Sequence, residues 1–172
     1  NGDMPCITSE LIRSVIHQHT QQKAAVTFVT ADNCPQAHAY GKVVVRNKHI
    51  SIVESQHAEH PVETYERVNA GIYLFNRAFL DEALAHLRPH GESNEIYITD
   101  LVGYASDVGY TVTTVHADFN TVRGVNTLEE LYQAEQCQHA GIMNRLYQSG
   151  VYCRAPHQTY IDSTAHISQH CR

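Results

Sequence analysis

Asn1-Gly2-Asp3-Met4-Pro5 is the stretch whose reading decides the fold. A carboxylate follows a glycine, and Pro5 keeps the backbone from continuing as a central strand. That layout suits the carboxyl end of a buried strand, the edge at which open α/β sheets hold their ligands. Asp3 then points into a crevice, where a single carboxylate is best used on a divalent metal. The same letters also make an ordinary turn. The metal reading gains weight from a second turn far along the chain, Gly124-Val125-Asn126.

Downstream of Pro5, residues 8–22 read as a helix capped by Thr8 or Ser9, with Leu11, Ile12, Val15 and Ile16 as one apolar stripe. Residues 24–30 are a short β-branched run, the pattern of a buried strand. Together with a strand ending at Asp3 this makes a β-α-β unit, which implies a parallel pair and a right-handed crossover. After a polar loop at 31–39, segments 41–46 and 49–54 form a hairpin turning at Asn47-Lys48. Residues 55–66 are charged, contain Pro61, and read as a surface excursion. A strand at 68–75 is interrupted by Asn69-Ala70-Gly71. A helix over 76–87 buries Phe79, Leu80, Ala83, Leu84 and Leu87, and Pro89 and Gly91 close it.

Glu95-Ile96-Tyr97-Ile98-Thr99-Asp100 leads into a short helix ending at Gly109, and 111–116 alternates as a strand. Thr127 and Glu130 are spaced as a capping box, opening a helix that runs to Ser149 with Gly150 as its stop. Ile161 and Ile167 then stand six residues apart, the period of a left-handed parallel β-helix. A plain polar tail fits those residues equally well.

Composition narrows the function classes. With 172 residues, 42% hydrophobic and 17% charged, the chain is of globular type and can bury one core, or one core and an appendage. No apolar run is long enough for a membrane span, and no charged-then-apolar leader argues for secretion. The net charge of −6 disfavours nucleic acid as main partner but not phosphorylated substrates, because a metal supplies positive charge locally. Cys6, Cys34, Cys137, Cys153 and Cys171 are odd in number and scattered, the signature of reduced cytosolic thiols. The histidines do not pair: His17 and His19 fall on different helix faces, and Pro89 separates His86 from His90.

A polar site results if the turns at Asp3 and Asn126 meet at one sheet edge. A carboxylate and an amide oxygen are hard ligands, suited to a magnesium ion that keeps water and phosphate oxygens as its other ligands. Glu54 and Asn69 sit on strands that can line the same crevice, though such residues are commonly just solvated strand ends. No Gly-x-Ser-x-Gly elbow, partnered cysteine or Gly-rich phosphate loop points to other chemistry.

Six motifs in this order resemble one family. They are Gly2-Asp3-Met4-Pro5, Ala39-Tyr40-Gly41-Lys42-Val43, Ile52-Val53-Glu54, Val68-Asn69-Ala70-Gly71-Ile72, Glu95-Ile96-Tyr97-Ile98-Thr99-Asp100 and Gly124-Val125-Asn126. The pattern is similar to that of the bacterial bifunctional N-acetylglucosamine-1-phosphate uridyltransferases/glucosamine-1-phosphate N-acetyltransferases. The resemblance implies an α/β fold: part of a Rossmann-like, glycosyltransferase A-like nucleotidyltransferase with a mixed sheet over 1–126. A linker helix over 127–150 and the first coils of a left-handed β-helix over 151–172 follow.

It also implies residue roles. Asp3 and Asn126 match the magnesium ligands, Asn1 and Gly2 the backbone contacts to nucleotide, and Glu54 and Asn69 hydrogen-bonding partners of the N-acetylglucosamine moiety. Ala39 falls where the family usually has a glycine whose amide binds sugar, so its methyl group crowds that contact. Gln56 stands where a lysine is common. The activity implied is synthesis of UDP-N-acetylglucosamine and pyrophosphate from UTP and N-acetylglucosamine 1-phosphate. In the parent it accompanies acetyl-CoA-dependent acetylation of glucosamine 1-phosphate, in a cytoplasmic homotrimer serving cell-wall precursor synthesis.

The family's Gly-rich nucleotide loop and its acetyl-CoA site have no counterpart in these residues. The expectation is therefore a fragment with an exposed sheet edge and neither activity alone. Two other readings stay open. One is a non-catalytic sugar-nucleotide-binding or trimer-assembly module; the other is a nucleotidyltransferase for another hexose 1-phosphate.

Overall fold

The strand Val26–Asp32 (β1) forms the centre of a five-stranded mixed sheet, and six of its seven residues are buried. The computed structural model describes residues 2–57, 65–91, 94–162 and 164–171. The chain divides into two compact units, one of residues 7–122 and one of residues 1–6 with 123–172.

In the larger unit the strand order is β3-β2-β4-β1-β5, with β2 Lys42–Arg46, β3 His49–Val53, β4 Arg67–Phe75 and β5 Val112–His116. β1 runs antiparallel to β4 and parallel to β5. Both of its edges are therefore used. Its parallel neighbour is a strand some eighty residues on, not the strand expected ahead of Asp3. β1 also begins two residues later than its apolar run: the Ala24 N–H still donates to the His19 carbonyl of the preceding helix, and Ala25 already bonds to Thr111 and Asn76 beside the sheet.

Alternation along β1 feeds both faces of the sheet. On one face, Thr27 Oγ1 meets His19 Nδ1 at 2.9 Å, on the helix Ser9–Gln22 (α1). On the other, Val26 and Phe28 pack with Phe79, Ala83, Leu101, Val102 and Ala105. Those residues come from the helices Arg77–Ala83 (α2) and Asp100–Asp107 (α3). Helices on both faces of a mixed sheet make a three-layer α/β unit.

Local rules explain the boundaries. Thr8 caps α1 by accepting from the Leu11 N–H at 3.2 Å, and Lys23 ends it at φ +47°. Only Leu11 and Val15 of the expected stripe are buried; Ile12 is 39% exposed and Ile16 52%. The apolar contact with the sheet is thus the Leu11–Val15 pair, narrower than the periodicity implied, while Gln18 adds a polar one by donating to Thr113 Oγ1 at 2.9 Å. The β2–β3 hairpin turns at Asn47-Lys48, both at positive φ (49° and 72°), as a two-residue turn requires. Asn76 caps α2 through its side-chain oxygen. The helix then tightens to a 3-10 turn at Leu84–His86. Tighter winding rotates Leu84 outward, to 47% exposure, against its expected burial.

The interruption expected at 69–71 is a bulge inside an unbroken strand. Between the pairs Phe28–Tyr73 and Thr30–Asn69, β1 advances two residues and β4 four. Gly71 takes φ +72° there, and its N–H donates to Asn69 Oδ1 at 3.1 Å. A short helix, Phe119–Val122 (α4), was not foreseen from sequence.

The smaller unit is built on the helix Leu128–Gln148 (α5), opened by the full Thr127–Glu130 capping box and stopped at Gly150, φ +83°. Beyond it, the described part of residues 151–171 contains a 3-10 turn at Pro156–Gln158 and no strand. The Tyr152 N–H donates to the Cys171 carbonyl at 3.0 Å.

Candidate functional site

In the smaller unit the two decisive turns meet. The Val125 N–H donates to the Asp3 carbonyl at 2.8 Å, across more than 120 residues of sequence. Gly2 and Asp3 lie in an exposed turn, and Met4 behind them is buried. Asn126 is exposed too. Its own N–H is held by Glu130 Oε2 at 2.8 Å, which also takes the Thr127 N–H at 2.9 Å. Those bonds, the Asn126 amide foremost, hold the Glu130 carboxyl below its ordinary range. Glu130 is thus committed to the cap, while the Asn126 side chain and the Asp3 carboxylate are left to solvent. Asn1 lies outside the described residues.

The remaining sequence-derived residues belong to the larger unit. Glu54 follows β3 and its Oε1 accepts from Thr99 Oγ1 at 2.6 Å. A Cβ on Gly41 would lie 3.4 Å from Glu54 Oε2 and 3.0 Å from Ile52 Cγ2, so the glycine admits the carboxylate beside the backbone. The Gly41 carbonyl accepts from the Asn69 N–H at 2.8 Å. Glu54, Gly41 and Asn69 therefore form one polar group at the ends of β3, β2 and β4. Tyr73 adjoins it, and burial pushes its phenol well above the ordinary tyrosine value. Ala39 is exposed in the turn after the 3-10 segment Pro35–Ala37. That segment is tied down by the fully buried Lys42, whose Nζ donates to the Ala37 carbonyl at 2.8 Å; burial lowers its pKa.

Sequence reasoning missed Thr99, Gly41 and Lys42 as organisers of this group, although all three stand inside motifs that it singled out. It also found no role for Gln56. The Gln56 amide donates to Glu95 Oε2 at 3.4 Å and to the Tyr97 hydroxyl, which itself donates to Glu95 Oε2 at 2.5 Å. A cleft of about 910 Å³ runs along the hairpin between Val43 and Glu66, but Ala39, Glu54 and Asn69 do not line it. Among the described residues no cluster of three or more His, Cys, Asp or Glu is placed to hold a metal. An ion at Asp3 and Asn126 would thus draw most of its ligands from water and substrate. A carboxylate and an amide oxygen, both solvent-facing in adjoining turns, fit a magnesium ion of that kind.

The Nucleotidyl transferase family model matches residues 6–139, well over half of the chain. The chain belongs to the nucleotidyl transferase family. This nucleotidyl transferase is similar over nearly its whole length to proteins named bifunctional protein GlmU. It is 34% identical to that of Lawsonia intracellularis, covering 97% of this chain and 37% of the relative. It is 32% identical to that of Thermosipho africanus, covering 98% and 36%. The chain thus spans little more than a third of the relatives that it matches. Among solved structures it shares its fold with a protein assigned as a UDP-N-acetylglucosamine pyrophosphorylase from Entamoeba histolytica, at TM-score 0.61 and 12% identity, covering 82% of this chain and 44% of that one. It likewise shares it with a CMP:2-keto-3-deoxy-manno-octonic acid synthetase complexed with CTP, at TM-score 0.54 and 18% identity, covering 80% and 59%. No helix among the described residues is long and apolar enough to cross a membrane.

Proposed function

We propose that this nucleotidyl transferase is the uridyltransferase portion of a bifunctional enzyme, joining UTP and N-acetylglucosamine 1-phosphate into UDP-N-acetylglucosamine with release of pyrophosphate. The observation that carries the reading is the 2.8 Å bond from Val125 to Asp3, which brings the carboxylate turn beside the Asn126 turn. Asp3 and Asn126 would hold a magnesium ion, which would supply positive charge to offset that of the substrate phosphates. Asp3 and Asn126 fix the nucleotide end, together with the backbone of Asn1 and Gly2. Glu54 and Asn69 hydrogen-bond the N-acetylglucosamine moiety. Its phosphate oxygen attacks the α-phosphorus in line, so the protein's contribution is positioning and charge compensation rather than covalent chemistry.

In this reading residues 127–150 link the transferase domain to a left-handed β-helix that begins at 151. The Tyr152–Cys171 bond supports it: the two residues are nineteen apart, and a triangular coil with three six-residue faces closes every eighteen or so. The parent protein is a cytoplasmic homotrimer in this scheme, with acetyl-CoA the substrate of its second site.

Titration calorimetry of the chain with UDP-N-acetylglucosamine tests the reading. Binding should require magnesium, weaken at least tenfold in Asp3→Ala and Asn126→Ala, and exceed that of UDP-glucose. Binding indifferent to EDTA and to both substitutions overturns it. Pyrophosphate release is assayed in the full-length parent, since the chain alone is expected to lack it. A parent that binds the sugar nucleotide without releasing pyrophosphate from UTP and N-acetylglucosamine 1-phosphate would instead favour the non-catalytic module, to which the Ala39 methyl group points.

A further inference from the structure

Two thiols with no part in that site come together in the smaller unit. Cys6 ends the segment that carries Asp3 and is 8% exposed. Its Sγ reaches the Ala134 carbonyl at 3.9 Å, and beside it Gln138 Nε2 donates to the Pro5 carbonyl at 2.9 Å. Ala134 and Gln138 bracket Cys137 on α5. A helical side chain leans toward the amino end, over the preceding turn, so the Cys137 sulfur lies over the same patch that receives Cys6. Burial first, and then the neighbouring Cys137, push the Cys6 thiol above its ordinary value, while the Arg123 guanidinium pulls weakly the other way. Cys137 is partly exposed and Cys6 is not.

We propose that Cys6 and Cys137 form a dithiol modification site that takes a low-molecular-weight disulfide, such as glutathione disulfide, and closes to an intrachain disulfide. The Cys137 thiolate attacks one sulfur of glutathione disulfide and releases one glutathione thiolate. Cys6 then loses its proton and attacks the Cys137 sulfur of the mixed disulfide, releasing the second glutathione. The two protein thiols are oxidised by two electrons and one glutathione disulfide is reduced. The partly exposed thiol receives the reagent, and the buried one resolves the adduct. The bond fastens the Asp3 segment to the helix that begins just after Asn126, so oxidation restrains both turns.

Peptide mass mapping of the chain after treatment with glutathione disulfide under native conditions tests this. The expected product joins the Cys6 and Cys137 peptides with the loss of two hydrogens, ahead of any pairing among Cys34, Cys153 and Cys171. Its rate should keep climbing with pH above the ordinary thiol range, because Cys6 must deprotonate. The oxidised chain should melt several degrees higher than the reduced one. Cys6→Ala should trap glutathione stably on Cys137, and Cys137→Ser should leave Cys6 unmodified. A stable glutathione adduct on Cys137 of the unsubstituted chain, a dominant Cys153–Cys171 pairing, or no trapping in Cys6→Ala overturns the proposal.

Discussion

Thr99 gives its hydroxyl to Glu54, 45 residues earlier in sequence, and not to the helix that it begins. It occupies the N-cap of α3 in a helical conformation and makes no capping bond. A capping hydroxyl is worth about 1 kcal/mol to a helix, and here that contribution is forgone. What is gained is one fixed oxygen on a carboxylate whose other oxygen lies against Gly41. The arrangement favours a defined orientation of Glu54 over the stability of α3.

Replacing Thr99 by Val keeps the shape and removes the donor. Bonds to charged groups are worth about 1.5–3 kcal/mol, so affinity for UDP-N-acetylglucosamine should fall roughly tenfold or more by calorimetry. Thr99→Ser should restore it. The melting temperature should move less than for loss of a true cap, because α3 never had the bond. A valine variant with unchanged affinity would remove Thr99 from any role in holding Glu54.

Glu130 predicts a pH effect of definite sign. Its folded pKa lies below the ordinary 4.5, held down first by the Asn126 amide. A carboxyl with a depressed folded pKa contributes stability that is present above 4.5 and lost as pH falls through the folded value. Glu130→Gln keeps an acceptor for the cap but cannot titrate. Urea melts between neutral pH and pH 3 should therefore show a shallower acid loss for Glu130→Gln than for the unsubstituted chain. Parallel acid limbs would show that the capping box does not govern this dependence.

Phe79 and Leu84 test where periodicity misleads. Both were expected on the buried face of one helix, yet Phe79 is 3% exposed and Leu84 47%. Phe79 also stacks between Phe75 and Tyr104, at centroid distances of 6.5 and 6.3 Å. Phe79→Ala should cost about 3–5 kcal/mol in denaturant unfolding. Leu84→Ala should stay within about 0.5 kcal/mol, as for an ordinary surface change. Equal losses would restore Leu84 to the core.

Much of this was legible because local chemistry and global fold agree. The Asn47-Lys48 turn, the Thr127–Glu130 box and the buried run of β1 each carry their own signal, and each stands where that signal put it. The meeting of Asp3 with the Asn126 turn could be anticipated only from the resemblance, since nothing local joins residues so far apart. The roles of Thr99, Gly41 and Lys42 were invisible for a different reason. A hydroxyl that leaves its helix, a glycine at ordinary φ and a buried ammonium declare themselves only through partners that tertiary structure supplies. The exposure of Ile12, Ile16 and Leu84 shows the opposite failure, in which an apolar stripe is wider than the surface that covers it.

Two glycines should respond to alanine in opposite directions. Gly71 sits in the β4 bulge at φ +72° and donates to Asn69 Oδ1, so a Cβ there is strained whatever space surrounds it. Left-handed backbone costs a non-glycine residue about 1–2 kcal/mol. Gly71→Ala should lose that much stability and also weaken UDP-N-acetylglucosamine binding, because relaxing the bulge turns Asn69. Gly141 lies inside α5, and nothing stands within 4 Å of a Cβ placed there. Helix propensity alone then favours Gly141→Ala by about 1 kcal/mol. Thermal melts of the two variants should move apart on either side of the unsubstituted chain. A neutral Gly71→Ala with intact binding would mean that the bulge is not what aims Asn69.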